Sequence, residues 1–141
     1  MNLDGIWELE CPSRNFSKIP ITIPGDVFTS LIESKLIPDP YYSTNERLVQ
    51  WVSDVEWIIT RQFEASNISS YSAFVLILEL VDTFSTVYIN DHEVLKTTSN
   101  FIFYRTNILK FLKEGTNNIR IIFHVAKKEA SKRFFSWLPK S

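Results

Sequence analysis

Apolar and polar residues alternate most regularly between residues 119 and 125. One face of this segment is entirely apolar, whereas the other also carries charged and imidazole side chains. The first face comprises Ile119, Ile121, Phe123 and Val125, and the second comprises Arg120, Ile122 and His124. A period of two residues is typical of a β-strand with one buried face. The preceding segment, 115–118, has turn-forming residues and predicts the turn that leads into this strand.

Further segments have the composition of β-strands. Residues 57–63 are rich in β-formers, and residues 73–81 are a nearly continuous apolar run. The short length and the Val and Ile content of that run favour a strand buried on both faces, although periodicity alone also fits a buried helix. Residues 86–89 and 93–95 flank Asn90-Asp91-His92, which predicts a β-hairpin with these three residues in its turn.

Helical spacing is confined to two short segments. Asp26 is a candidate N-cap for a first helix, whose apolar positions are Val27, Phe28, Leu31 and Ile32. A second helix is predicted near the end of the chain, with Ala126, Ala130 and Phe134 on one face, Glu129 four residues before Arg133, and Pro139 stopping it. Several strands and two minor helices predict an antiparallel β-sandwich.

Length and charge restrict the possible functions. The 141 residues, 45% of them hydrophobic, predict one domain spanning 1–141. A complete (β/α)₈ barrel needs about 200 residues or more and is excluded. The 15 Lys and Arg against 16 Asp and Glu give a formal net charge of -1, so we expect no nucleic-acid partner and no attraction to an acidic membrane.

The cysteine content and the first residues of the sequence bear on the cellular location of the protein. Cys11 is the only cysteine, which excludes an intrachain disulfide and a zinc site built on thiolates. The first residues do not have the basic region and long apolar stretch of a signal peptide, and no window is long enough to span a membrane. We therefore expect a cytoplasmic location, and we expect neither a metal nor a cofactor.

No pattern in the sequence by itself identifies a catalytic centre. The sequence contains no glycine-rich phosphate loop and no Gly-x-Ser-x-Gly elbow. His92 and His124 have no second metal ligand at a suitable spacing, so we interpret His92 as a solvated turn residue and His124 as a half-buried strand residue. Cys11 is interpreted as a packed, inert thiol.

The polar, proline-marked segment 38–54 is rich in aromatic residues. It combines aromatic rings with hydrogen-bonding side chains at Tyr41, Tyr42, Asn45, Glu46, Arg47 and Trp51. Sugars present C–H faces to aromatic planes and hydroxyls to polar groups, so the segment fits a sugar contact. A long loop also needs aromatic residues to anchor it to the core. Both interpretations remain open from the residues alone.

The order of the motifs along the chain is more specific than any one of them. In sequence order they are Ile23–Phe28, Leu31, Leu36–Tyr42, Asn45-Glu46, Trp51, Trp57 with Arg61 and Phe63, Val81–Thr83, Val87–Asn90 and Glu114–Asn117. This succession resembles the N-terminal domain of β-mannosidases in glycoside hydrolase family 2, from Gly5-Ile6-Trp7 to Leu138-Pro139. The Pro38–Tyr42 and Asn45-Glu46 elements point to mannosidases rather than to the related β-galactosidases and β-glucuronidases.

The resemblance implies a jelly-roll β-sandwich of the galactose-binding-domain-like type with one or two short helices. Family members remove terminal non-reducing β-linked mannose with retention, using two glutamates on a (β/α)₈ barrel further along the polypeptide. That barrel and a sugar-contacting Gly-Trp-Asp-Trp-Gly-Pro stretch are not among these residues. The resemblance therefore implies no catalytic residue here, a chain that is inert alone, the catalytic barrel as its partner and a β-mannoside as the ligand of the whole enzyme.

The resemblance also implies three candidate residues at the substrate rim. The loop near Asn45 approaches the rim of the sugar pocket in related enzymes. We therefore expect Asn45 and Glu46 to lie at that rim, with Trp51 as a stacking surface.

The turn motifs also have a structural interpretation. Pro24-Gly25-Asp26 predicts a turn that then caps the first helix, and Asp82-Thr83 predicts a bend after a buried strand. At the hairpin, Asp91 stands where family members usually place glycine. Ile59, Thr60 and Leu80 replace a usual tyrosine, a common basic residue and a usual glycine of the family, which weakens any inference about the exact substrate.

Two further functional classes fit the sequence. A free carbohydrate-binding module is suggested by the aromatic and polar loop, because sandwiches of this type often bind sugars. A structural or protein-interaction domain is the other alternative, since apolar surface that normally packs on the barrel would promote self-association.

Overall fold

Ten β-strands and one α-helix form the described part of the chain. The structure is a computed structural model that describes residues 3–36, 50–81, 84–97, 101–125 and 133–140. The strands are β1 Gly5–Glu10, β2 Ile19–Ile23, β3 Gly25–Asp26, β4 Trp57–Ala65, β5 Val75–Val81, β6 Ser85–Ile89, β7 His92–Thr97, β8 Phe101–Asn107, β9 Gly115–Phe123 and β10 Arg133–Lys140. The helix is α1 Val27–Glu33, and 3-10 turns span Gln50–Asp54, Ile68–Ser70 and Leu109–Phe111.

The strands form two sheets with antiparallel neighbours. The larger sheet has the strand order β2-β1-β4-β9-β6-β7, and the smaller sheet has the order β3-β10-β5-β8. Strands distant in sequence therefore lie side by side, as in the pairs β4–β9 and β5–β10. The predicted all-β sandwich is confirmed.

The inward faces of the two sheets share one apolar core. Trp57, Ile59 and Phe63 contribute to it from β4, and Leu76 and Leu78 contribute from β5. The β9 members are Ile119, Ile121 and Phe123, all fully buried. Alternation along β4 and β9 thus buries nearly every second side chain, as the period of two predicts, with the half-buried Arg61 as the exception within β4. Strand β5 is also confirmed, and its consecutive residues 76–78 are all buried, as expected for a strand covered on both faces.

The first described residues are held to the larger sheet by Arg61. Its Nη1 donates hydrogen bonds of 2.8 Å to the carbonyl oxygens of both Leu3 and Asp4. Gly5, where β1 begins, has a φ of 127°, and a Cβ there would lie 3.1 Å from the same Arg61 nitrogen. Glycine therefore allows the backbone to approach the guanidinium closely.

Helix α1 follows the tight segment at Pro24-Gly25-Asp26. The helix predicted after Asp26 is confirmed, and its Val27 and Leu31 are buried in the core. Gly25-Asp26 forms the short strand β3 rather than only a turn, because both residues pair with β10. A Cβ on Gly25 would lie 2.4 Å from the carbonyl oxygen of Thr22, so the chain passes too close here for any side chain. Capping by the Asp26 side chain stays a prediction, and the Asp82-Thr83 bend lies outside the described residues.

The β6–β7 hairpin is confirmed, with a turn one residue shorter than predicted. Asn90 and Asp91 have φ values of 48° and 68°, and His92 already belongs to β7. Two consecutive left-handed residues suit the right-handed twist of the flanking strands. Asn90 also ties the turn to the rest of the fold, since its amide donates to Asn117 Oδ1 and to the Phe111 carbonyl.

Strand β9 begins earlier and ends earlier than the sequence predicts. Residues 115–118, predicted as a turn, pair with β4 and belong to the strand. Asn117 can be buried there because its amide donates to the carbonyl of Lys113 and its oxygen accepts from the Lys113 N–H, so its side chain closes the preceding turn. Val125 does not share the buried face, because it lies beyond the strand end and is 50% exposed.

The second predicted helix is wrong for residues 133–140, which form strand β10. Phe134 pairs with Leu80, and Pro139 pairs with Leu76 of β5. Pairing across the smaller sheet overrides the local helical spacing. On its other side, β10 pairs with β3 only at residues 133 and 134. Among the described strands, Pro139 therefore has no partner on that side, where the N–H that proline lacks would otherwise be needed. Residues 126–132 lie outside the described part of the chain.

The hairpin turn gives a matched pair of stability tests. Asp91→Gly should raise the free energy of unfolding by about 0.5 kcal/mol, because glycine favours the left-handed φ and the lost ion pair with Arg120 is exposed. Asn90→Gly should lower it by about 2 kcal/mol, because it removes hydrogen bonds to Phe111, Asn117 and the Asn118 N–H. Urea unfolding of both variants measures the difference, and a destabilised Asp91→Gly would mean that the ion pair outweighs the backbone strain.

Candidate functional site

The candidate site lies at the end of the sandwich where β4 begins and β9 ends. We call it the Trp51 end, and it comprises Cys11, Arg14, Phe16, the 3-10 turn Gln50–Asp54, Glu56, Trp57 and His124. The turn at Gln50–Asp54 is the first described element after the predicted rim segment. Asn45 and Glu46 themselves lie outside the described residues, so their position at the rim stays a prediction.

Trp51 is half-buried against the core rather than free in solvent. Its ring centroid lies 5.8 Å from that of Trp57, with an interplanar angle of 32°. The Arg14 guanidinium carbon lies 4.0 Å from the centroid of the Trp51 ring, which places a cation over one face. These contacts hold Trp51 against the core, directly after the predicted rim segment. Its role in stacking on a sugar stays a prediction.

Trp57 holds the 3-10 turn in place. Its indole nitrogen donates a 2.8 Å hydrogen bond to the Val52 carbonyl, and both residues are fully buried. Phe16 packs on the same ring, with a centroid distance of 6.3 Å. A buried indole needs an acceptor for its N–H, so one contact satisfies Trp57 and fixes the backbone next to Trp51.

A carboxylate, an imidazole and a hydroxyl are connected at the same end. Glu56 Oε2 lies 2.7 Å from His124 Nδ1, and His124 Nε2 lies 2.8 Å from Thr86 Oγ1. In the neutral imidazole, Nδ1–H donates to the carboxylate and Nε2 accepts from the hydroxyl. Thr86 is only 4% exposed, so its hydroxyl is shielded from an incoming substrate. The arrangement connects β6 to the residue before β4 and the residue after β9 at the Trp51 end.

This connection was missed by the sequence reasoning, which identified His124 only as a half-buried residue. His124 is half-buried as predicted, but it lies one residue past the end of β9 and not in the strand. Its partners are 68 and 38 residues away in the chain, so only the pairing of β9 with β4 and β6 could have found them.

The other two candidate side chains, Cys11 and His92, make contacts that fit a structural role. Cys11 is buried, with its sulfur 3.5 Å from the Ser13 hydroxyl, which agrees with a packed thiol. His92 is exposed and its ring lies 5.7 Å from that of Phe111. Among the described residues, no group of three or more His, Cys, Asp or Glu could hold a metal ion. No described helix has both the length and the apolar character needed to cross a bilayer.

Comparisons with known proteins cover nearly the whole chain. The family model described as glycosyl hydrolase 2 galactose-binding domain-like matches residues 7–135. A probable β-mannosidase of Caenorhabditis elegans is 31% identical over 133 residues, which are 94% of this chain and 15% of that protein. β-Mannosidase B of Thermothelomyces thermophilus is 32% identical over 126 residues, with 88% and 15% covered. The chain therefore spans about 15% of the length of these relatives.

Solved structures support the same relationship. The β-D-mannosidase of Dictyoglomus thermophilum has a TM-score of 0.83 and 33% identity, with 89% of this chain and 15% of that chain covered. The exo-chitosanase CsxA of Amycolatopsis orientalis has a TM-score of 0.74 at 16% identity, with 92% and 17% covered, which shows a shared fold alone. The resemblance to the β-mannosidase domain is confirmed.

The packing of Trp51 can be tested by truncation. Trp51→Ala should lower the free energy of unfolding by about 2 kcal/mol, because the half-buried ring loses its contact with Trp57. Arg14→Ala, which removes the cation from the ring and leaves the aromatic cluster intact, should cost about 0.5 kcal/mol. Urea unfolding followed by tryptophan fluorescence compares the two. Equal and small effects would mean that Trp51 does not anchor the loop.

Proposed function

This chain belongs to the glycosyl hydrolase 2 galactose-binding domain-like family. We propose that it acts as a domain of a β-mannosidase, an enzyme that removes terminal non-reducing β-D-mannose with retention of the anomeric configuration. The chain corresponds to the small, non-catalytic N-terminal domain of such enzymes. The observation that carries the proposal is the match to the Dictyoglomus β-D-mannosidase, at 33% identity and a TM-score of 0.83 over 89% of this chain.

The chemistry of the reaction assigns catalysis to the partner domain and a supporting role to this domain. A retaining glycosidase needs an acid/base carboxylate and a nucleophilic carboxylate about 5–5.5 Å apart. We assign both to the catalytic barrel that the resemblance implies as the partner. The domain then supports the barrel and narrows the mouth of the active site, which favours cleavage of terminal residues.

The Trp51 end is the part of the domain that we assign to the active-site rim. Asn45 and Glu46 would hydrogen-bond sugar hydroxyls, and Trp51 would contact the sugar with the part of its half-buried ring that stays exposed. The buried Trp57–Val52 hydrogen bond and the Glu56–His124 contact support this role, because they hold the adjacent backbone rigidly. A rim that is fixed before binding loses little conformational freedom when the sugar arrives.

Several further properties belong to the same proposal. Residues 1–141 would act as one domain in the cytoplasm, where Cys11 stays a buried free thiol. The formal net charge of -1 supports the absence of a nucleic-acid partner. The exposed Phe84 and Val125, at 42% and 50%, are apolar surface that a partner would cover, and separation from that partner would favour self-association.

The chain alone should not hydrolyse p-nitrophenyl-β-D-mannopyranoside, because its proposed role is supportive and the catalytic carboxylates belong to its partner. Release of p-nitrophenol by the purified 141-residue chain measures this, with the Dictyoglomus enzyme as a positive control. Turnover that disappears when a carboxylate of this chain is replaced by its amide would contradict the division of roles.

A chimeric enzyme tests the role at the rim. In the Dictyoglomus β-D-mannosidase, this chain would replace the matching domain, and the chimera should hydrolyse the same substrate. Asn45→Ala should then raise KM about fivefold, because it removes one hydrogen bond to the sugar, and Glu46→Gln should also raise KM, because it replaces a charged acceptor with a weaker neutral one.

The matched control is Glu93→Gln, on the exposed edge strand β7, which should leave KM unchanged. Equal thermal unfolding of the variants shows that the domain remains folded. If all three variants have the KM of the parent chimera, then Asn45 and Glu46 do not form the rim.

A further inference from the structure

We propose that the outer face of the larger sheet carries a second carbohydrate site, a groove that binds a neutral oligosaccharide chain. The groove crosses β2, β1, β4 and β9 and has a volume of about 730 Å³. It is lined by side chains that include Ile6, Glu8, Pro20, Thr60, Gln62 and Asn118. The site is separate from the predicted rim loop, and its ligand binding does not require the catalytic partner.

Strand register brings the groove residues together. Pro20 pairs with Glu8, and Glu8 pairs with Thr60, so these three lie in one row across β2, β1 and β4. Gln62 pairs with Asn118 of β9. Side chains two apart on a strand share a face, so Thr60 and Gln62 project to the same side. The groove is thus formed by rigid paired strands.

The polar side chains of the groove have unused hydrogen-bonding capacity. Among the described residues, the side chains of Thr60, Gln62 and Asn118 have no hydrogen-bond partner. Arg120 lies opposite Thr60, but its Nε is too deeply buried to reach a ligand. The two amides and the hydroxyl can each engage sugar hydroxyls, which act as both donors and acceptors.

Apolar surface lies beside these polar groups. Ile6, a large aliphatic residue and the second residue of β1, is 71% exposed. Ile6 pairs with Thr22, next to Pro20 on the same face of β2. The C–H face of a sugar ring can cover such a surface while its hydroxyls reach the amides, which removes apolar area from water.

The balance of charge favours a neutral ligand. Lys18 and Glu8 form an exposed ion pair at 3.7 Å, and the Arg61 guanidinium is bound to the carbonyls of Leu3 and Asp4. Arg120 is paired with Asp91 at 3.3 Å. The cations of the groove are therefore compensated or engaged, which does not suit the multiple phosphates of a nucleic acid.

The strand pairing argues against a peptide as the occupant. A peptide that adds to a sheet needs an exposed edge with unpaired backbone groups. Strands β1, β4 and β9 each have a neighbour on both sides, so their backbone groups are already used. Strand β2 is the edge of the sheet, but it is only five residues long and its Pro20 has no N–H to donate to an added strand. The groove is therefore better suited to a ligand that hydrogen-bonds to side chains along its length.

NMR titration of the ¹⁵N-labelled 141-residue chain tests the proposal directly. With β-1,4-mannohexaose, the side-chain amide signals of Gln62 and Asn118 should shift and saturate in the millimolar range. The double variant Gln62→Ala with Asn118→Ala should bind about tenfold more weakly, because it loses two hydrogen-bonding side chains. Ile6→Ser, at an exposed position, should also weaken binding and serves as a second variant.

Lys96→Ala, on the same sheet but on the distant strand β7, is the matched control and should bind as the unmodified chain does. The proposal is overturned if no signal saturates, if the double variant binds normally, or if the Trp51 indole responds in place of the groove amides. The proposal would also be overturned if the groove signals responded only to inositol hexakisphosphate, because the site would then prefer anionic ligands to neutral sugars. None of these results depends on activity of the chimeric enzyme, so the proposed function is tested separately.

Discussion

The structure depends on the antiparallel pairing of β4 with β9, which runs over nine residues from Trp57–Phe123 to Ala65–Gly115. A slip of one residue in either strand would turn its buried side chains to solvent and its polar ones into the core. The fixed register decides which groups meet on both faces. It places Trp57 beneath the Trp51 turn on the inner side and Gln62 beside Asn118 on the outer side.

The sequence predicts the central strands well, because their side-chain pattern reflects a face that water cannot reach. The alternation at Ile119, Ile121 and Phe123 identifies β9, and the apolar run through Leu76 and Leu78 identifies β5. The same local reasoning fails for β10. Its helical spacing is a property of neighbours in the chain, whereas its conformation is set by pairing with residues more than fifty positions earlier.

Polar residues show the same division between local and distant causes. Asn117 looks like a turn residue, yet it is buried in a strand because its side chain replaces backbone partners in the loop before it. The Glu56–His124–Thr86 connection has no local signature at all, since its three members come from three parts of the sequence. The motif order identifies the family, but the contacts of Trp51 with Arg14 and Trp57 require coordinates.

Arg61 fastens the first described residues to the larger sheet, whereas the last described strand, β10, belongs to the smaller one. The two ends of the described fold therefore sit in different layers. The short segment from β2 to β3 joins these layers covalently, because β2 pairs with β1 and β3 pairs with β10. A mechanical load applied between β1 and β10 is therefore shared between two strand ladders and the apolar interface of the sandwich, so pulling the ends apart must break hydrogen bonds and separate the layers together.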